Sequence, residues 1–182
     1  MTHIRCFFTG QQATAAVEFA IVIPFLAMLV AGMADFGLAF REYIVEQSAL
    51  DAGELYALQQ SGTITTSTEV NGFISNVQNF IINAAAGSGV TLSANNITVL
   101  WNNGGNFSSC YYVSGTNYPG TYTAAGANGA SGCGSTNADG SEAGQFVSIR
   151  IAYTYHSLFG ATSIYNWLAG NTHTIAGTIR IQ

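Results

Sequence analysis

The chain has 182 residues, a formal net charge of −5 and only 7% charged residues, against about 25% in an average soluble domain. Its four cations are all arginines and are scattered along the chain, at positions 5, 41, 150 and 180. Nucleic-acid binders concentrate cations on one face, so this distribution argues against a nucleic-acid partner. An apolar N-terminal segment followed by about 120 residues predicts one membrane segment and one further domain.

A short polar stretch precedes the apolar segment and predicts a leader over residues 1–13. Cleavage between Ala13 and Thr14 would leave Thr14 as the first residue and Glu18 as the fifth, which is the register of a prepilin-type leader. A cut after Gly10 would make Glu18 the eighth residue instead. An ordinary signal peptide and an uncleaved signal anchor are alternatives, although the apolar run is longer than a signal peptide requires.

The apolar run predicts a helix that crosses a membrane. It extends from Phe19 to Phe40, 22 residues in which Asp35 carries the one charge, and a helix of that length spans about 33 Å. We expect Asp35 to mark the point at which the helix leaves the membrane. Beyond Phe40, apolar and acidic residues recur at helical spacing, so the same helix should continue to Gln60 and occupy residues 14–60.

Residues 61–182 predict an α+β domain. Thr66 and Glu69 form a capping-box pattern before a helix whose apolar residues recur every three or four positions. Three later segments alternate apolar and polar residues as strands do: Ile97 to Trp101, Val147 to Tyr155 and Ile175 to Ile181. A short helix or packed loop is expected between Leu158 and Ala169. The economical arrangement is the second helix packed on a small antiparallel sheet.

Residues 102–145 are rich in Gly, Asn and Tyr, show no regular period and contain Cys110 and Cys133. We expect these cysteines to form a disulfide, because the loop has too few large apolar residues to order itself; two free thiols are the alternative. Closing a loop of about 24 residues is worth ~3.4 kcal/mol. Because a disulfide requires an oxidising compartment, it would place the domain outside the cytoplasm. The tyrosines either lie on the domain or form an adhesive surface for a ligand.

The sequence offers no convergent set of catalytic groups. His156 and His173 have no cysteine or carboxylate at metal-ligand spacing, and Asp139 and Glu142 lack the spaced pattern of a calcium loop. We therefore predict that the chain is not an enzyme and has no catalytic residue, metal or cofactor. A hydrolase tethered to the membrane is the alternative.

The segment Ala13 to Pro24, ATAAVEFAIVIP, resembles TadE-like proteins, the pseudopilins or minor pilins of tight-adherence (Flp-type) pili. The resemblance covers residues 13–60, is weaker over 146–182 and is absent between them. It implies a pilin-like fold in which a long N-terminal membrane-spanning helix precedes the α+β domain.

The resemblance also implies a function and partners. A membrane prepilin peptidase would cut at Ala13, and Glu18 would then neutralise the amine of Thr14 in a neighbouring subunit; alternatively, Glu18 lies at the headgroup level. The implied partners are the membrane, the peptidase, other pilus and pseudopilin subunits and the assembly platform. The implied location is the cytoplasmic (inner) membrane, crossed once, with entry into the extracellular pilus left open. The implied role is pilus assembly for surface adhesion and biofilm formation, and the alternative is an uncleaved, signal-anchored binding domain outside the cytoplasm.

Overall fold

The computed structural model describes residues 10–115, 118–127, 133, 142–160 and 163–182. Most of the predicted leader, Cys6 and Asp139 lie outside these ranges. The elements, in chain order, are α1 (Gly10–Ser61), α2 (Ser67–Gly87), β1 (Ile97–Trp101), β2 (Ser109–Ser114), β3 (Thr121–Ala127), β4 (Phe146–Thr154), α3 (Ile164–Ala169) and β5 (Thr172–Arg180).

The architecture is α+β, as predicted, and its residues divide into two compact units. The first unit comprises Met1–Phe40 and His156–Asn171, and the second comprises Arg41–Tyr155 and Thr172–Gln182. The first unit therefore contains the apolar part of α1 together with α3. The second contains the rest of α1, the helix α2 and the five strands of the described residues.

The helix α1 is 52 residues long and continues through Pro24 without a break. It ends at Ser61, one residue after the predicted Gln60. The side chains of residues 14–30 are all exposed, although most of them are apolar. Among the described residues, α1 is the one helix that is long and apolar enough to cross a membrane.

The helix α2 begins where the capping box predicts. The Thr66 hydroxyl accepts a hydrogen bond from the Glu69 amide at 3.4 Å, and the Glu69 carboxylate accepts one from the Thr66 amide at 3.0 Å. These bonds satisfy amide groups that the first turn of a helix leaves unpaired. The buried face of α2 has the predicted spacing and consists of Val70, Phe73, Val77, Ile81 and Ala85.

The three predicted strands form one antiparallel sheet in the order β1-β4-β5. The central strand β4 pairs Ile149 with Val99 of β1 and with Gly177 of β5. Ser148 is fully buried on one face of β4. Val147, Ile149 and Ile151 are fully buried on the other face, since a strand directs successive side chains to opposite faces. They pack in one core with the buried face of α2 and with Leu50 of α1.

The prediction that residues 102–145 form an irregular loop is wrong for part of this segment. The strands β2 and β3 pair there as a two-stranded antiparallel hairpin, with a register shift between Cys110 and Tyr111. The period-2 signal of these strands is weak because small residues and tyrosines occupy both faces. Gly144 extends the pairing through reciprocal backbone hydrogen bonds with Tyr111, at 2.8 and 2.9 Å.

Gly53 marks a close approach between α1 and α2. A Cβ atom at this position would collide with Cγ1 of Ile81 and lie 2.7 Å from its Cδ1. Ile81 is fully buried in the core, so its side chain has little room to move away. Gly53 is therefore required by packing rather than by backbone conformation.

We predict that Gly53→Leu lowers the free energy of unfolding by about 2 kcal/mol or more, because overpacking a filled core forces strain on its neighbours. The matched control is Gly72→Leu, since Gly72 lies in α2 with no atom near its missing Cβ; this variant should change stability by no more than about 0.5 kcal/mol. Urea denaturation of the full chain in detergent, followed by circular dichroism, measures both values. Equal stabilities of the two variants would contradict the prediction.

Candidate functional site

The residues predicted to mark processing and assembly lie together at the start of α1. The predicted cut between Ala13 and Thr14 falls inside the helix, three residues after it begins at Gly10. Thr14 and Glu18 are four residues apart and therefore occupy the same helix face. Both are exposed, and among the described residues no ion pair involves Glu18. A carboxylate at this position is available to a cation from another molecule.

The helix beyond Glu18 presents apolar side chains on all its faces. Phe19, Phe25 and Val30 expose 63%, 70% and 65% of their surfaces. A shallow apolar groove on the same helix is lined by Phe25, Met28, Leu29, Gly32, Met33 and Phe36. Such a surface requires lipid or other apolar helices around it.

Asp35, the charge within the apolar run, is buried by a distant segment of the first unit. It is 1% exposed and accepts hydrogen bonds from the Ser157 hydroxyl at 3.0 Å, from the Leu158 amide at 3.3 Å and from the Ser163 hydroxyl. The next residue, Phe36, packs edge-on against Tyr165 at 5.3 Å. Asp35 therefore also anchors a polypeptide segment, a role that the sequence analysis did not identify.

A second buried carboxylate lies in the part of α1 that belongs to the second unit. The Glu46 side chain is fully buried, and its Oε2 lies 2.7 Å from Nε2 of His173 on β5. Tyr43 and Tyr153 contact the His173 ring edge-on, at 5.6 and 5.7 Å. The Tyr153 hydroxyl donates to Glu42 at 3.1 Å. The sequence analysis missed this cluster because 127 residues separate Glu46 from His173.

Burial governs the proton affinities in this cluster. It raises the pKa of the Glu46 carboxyl, with a further increase from Glu42, while the neighbouring His173 acts in the opposite direction. Burial and the Glu42 carboxylate together raise the pKa of Tyr153 to about 12. Among the described residues, Oε1 of Glu46 has no hydrogen-bond partner. Ionising Glu46 therefore carries a desolvation penalty in the folded protein.

The predicted disulfide between Cys110 and Cys133 is present in the structure. It joins Cα atoms 5.6 Å apart, and both cysteines are buried in a small cluster with Ala143. The Tyr122 hydroxyl shares a hydrogen bond of 2.7 Å with Ser148 of the central strand. Tyr111 accepts one from the Asn106 amide at 3.1 Å. Tyr122 is thus bonded to the sheet, whereas Tyr111 is bonded within residues 102–145.

A comparison with protein families finds a match in the N-terminal part of the chain. The family model of TadE-like protein matches residues 13–53. The chain is therefore similar to TadE-like protein over these residues, which are less than half of its length. The match confirms the resemblance at the N-terminal segment; the weaker resemblance over 146–182 lies outside it and stays a prediction. No curated protein and no solved structure matches the chain.

The TadE-like match includes Ala13, Thr14 and Glu18, and also the two buried carboxylates Asp35 and Glu46. The groups described above that hydrogen-bond to those two carboxylates belong to residues 157–173, outside the match. TadE-like proteins are a pilus-associated structural family. Among the described residues no group of three or more His, Cys, Asp or Glu side chains could hold a metal ion.

We predict that Glu46→Gln changes the pH dependence of stability in a defined direction. A raised folded-state pKa means that the folded protein binds more protons than the unfolded chain, so stability falls as the pH rises above about 4.3. Replacing Glu46 should remove its contribution to this slope, which is at most about 1.4 kcal/mol of unfolding free energy per pH unit. Glu54, whose pKa is raised by burial and by Asp51, leaves a residual slope of the same sign.

Glu69→Gln is the matched control, because it should act in the opposite direction. Backbone amides of Thr65 and Thr66 donate to the Glu69 carboxylate and lower its pKa. Its stabilising effect is present above the unfolded pKa and is lost as the pH falls through the folded one. Urea denaturation of the full chain in detergent between about pH 2 and about pH 8 covers the titration ranges of both carboxyls and measures both slopes. Parallel pH profiles for Glu46→Gln and the unmodified chain would contradict the prediction.

Proposed function

We propose that this chain is a TadE-like minor pilin or pseudopilin that acts in the assembly of a tight-adherence pilus, and through it in surface adhesion and biofilm formation. One observation carries the proposal: Glu18 lies at the exposed start of a helix that is apolar on all its faces, within the segment that matches TadE-like protein. The partners are other pilus and pseudopilin subunits and the assembly platform. The chain is a structural subunit rather than an enzyme.

Processing by a prepilin peptidase is part of this proposal. Cleavage between Ala13 and Thr14 creates a new amine four residues before Glu18. That amine carries a positive charge at neutral pH, since its ordinary pKa is about 7.7 to 8.0. It is a cation of the kind that a membrane-embedded carboxylate requires as a partner.

The assembly role of Glu18 follows from the cost of an unpaired charge. At the centre of a bilayer a carboxylate costs about 2.5 to 3.5 kcal/mol, and less near its edge. Among the described residues no cation forms an ion pair with Glu18. The Thr14 amine of a neighbouring subunit would supply one as the helices pack together. Correct register between subunits is then favoured over other arrangements.

The proposed topology is a single crossing of the cytoplasmic (inner) membrane, with the second unit outside the cytoplasm. The length and apolar surface of α1 support the crossing. The disulfide between Cys110 and Cys133 supports the orientation, because disulfides persist in oxidising compartments.

We expect co-expression with a prepilin peptidase to yield a mature chain that begins at Thr14, because this cut places Glu18 fifth. Ala13→Leu should block cleavage, since a bulky residue replaces the small one next to the cut. Gly10→Leu, at the alternative cut, is the matched control and should leave processing intact. Mass spectrometry of the purified protein determines the N-terminus. An intact N-terminus in the presence of the peptidase would favour the uncleaved, signal-anchored binding domain.

We expect Glu18→Ala to leave membrane insertion unchanged and to abolish pilus assembly. Insertion depends on the apolar length of α1, whereas assembly depends on the charge pair. Val17→Ala, at the neighbouring exposed position, is the control and should assemble normally. Membrane fractionation measures insertion, and electron microscopy of sheared pili measures assembly. Normal piliation in Glu18→Ala would remove the assigned role.

A further inference from the structure

The segment from Ser157 to Asn171, which we call the Asp35-binding segment, has the chemistry of a lipid-facing surface. It contains no Asp, Glu, Lys or Arg in its 15 residues. Four of its large apolar side chains are exposed: Trp167 by 83%, Leu158 by 66%, Leu168 by 61% and Phe159 by 47%. An exposed, uncharged apolar patch marks an interaction site rather than an ordinary water-facing surface.

The structure attaches this segment to the membrane part of α1 rather than to the sheet. The Ser157 hydroxyl, the Leu158 amide and the Ser163 hydroxyl donate to Asp35, and Tyr165 packs against Phe36. The segment accordingly belongs to the same compact unit as Met1–Phe40. It therefore lies at the level of Asp35 along the helix axis.

That level is near the outer boundary of the hydrocarbon. Asp35 follows Phe19 by 16 residues, or about 24 Å of helix, within a hydrocarbon core about 30 Å thick. Tryptophan is enriched at this depth in membrane proteins, because its ring is apolar and its N–H remains near water. The hydrogen bonds to Asp35 also keep its carboxylate away from the acyl chains.

We propose that the Asp35-binding segment lies in the headgroup and upper acyl region of the outer leaflet and contacts lipid through Trp167, Leu158 and Leu168. The segment should bind zwitterionic or neutral lipid, since it carries no cation that would attract anionic headgroups. A second copy of the chain is the competing occupant. Lipid is favoured because the segment is continuous with the helix part that the bilayer surrounds. The proposal rests on the membrane crossing of α1 and is independent of pilus assembly.

The test uses the intrinsic fluorescence of the full chain in phosphatidylcholine vesicles. Trp101 and Trp167 are its two tryptophans, and Trp101 is 5% exposed within the core. Lipids brominated near the headgroup end of their acyl chains quench only nearby tryptophans. Quenching should therefore be at least about twofold greater in the unmodified chain than in Trp167→Phe, because an interfacial ring lies within reach of the bromines. Trp167→Phe alters an exposed side chain and should keep the fold.

Two variants that introduce a new tryptophan into the Trp167→Phe background complete the experiment. Leu158→Trp in the Trp167→Phe background should restore the quenching by brominated lipid. Leu55→Trp in the same background is the matched control, since Leu55 is 62% exposed but lies 15 residues beyond Phe40 on α1; about 22 Å of helix separates the two. It should be quenched by aqueous acrylamide and not by lipid.

Two results would overturn the proposal. Equal lipid quenching in the unmodified chain and in Trp167→Phe, with Trp167 open to acrylamide, would place the segment in water. Protection of Trp167 from acrylamide without lipid quenching, increasing with protein density in the vesicle, would assign the patch to a second copy of the chain.

Discussion

The structure depends on how one helix accommodates carboxylates among apolar residues. A buried carboxylate that lacks partners costs several kcal/mol, so each one on α1 must be exposed or satisfied. Asp35 and Glu46 are both almost completely buried, and both contact groups more than 100 residues away in the sequence. Asp35 holds the segment that contains Ser157 and Ser163 in the first unit. Glu46 holds β5 through His173 in the second unit.

Glu18 stands in contrast to these two carboxylates on the same helix. It lies where α1 is fully exposed, and among the described residues no ion pair includes it. Asp35 accepts hydrogen bonds within its own chain, whereas the Glu18 carboxylate is exposed. This difference separates a carboxylate that builds the fold from one that, in the proposed function, pairs with a cation of another subunit. The proposal agrees with the pilus-associated family that residues 13–53 match.

The low charge content has a consequence for the second unit. With 7% charged residues, the chain has few ion pairs with which to order a polar segment. The β2–β3 hairpin instead combines a disulfide with a very small buried cluster, in which Ala143 packs beside the two cysteines. The few apolar side chains of this cluster contribute little stability. The disulfide adds stability because it lowers the conformational entropy of the unfolded chain. The larger core between α2 and the sheet requires no such link.

The sequence by itself determined the elements whose signals are local. Apolar length defined α1, the Thr66 and Glu69 pair defined the start of α2, and strict alternation defined β1, β4 and β5. The pairing of Cys110 with Cys133 was also predicted from the sequence. The β2–β3 hairpin was not, because its residues have no strong period and its pairing includes a register shift.

Only the tertiary structure decided the contacts of the buried carboxylates. The donors to Asp35 and the ring that faces Glu46 lie 122 to 128 residues further along the chain. No spacing rule connects residues so distant, since folding alone brings them together. The same reason explains why His173 resembles an isolated strand histidine in the sequence and becomes the partner of a buried glutamate in the fold.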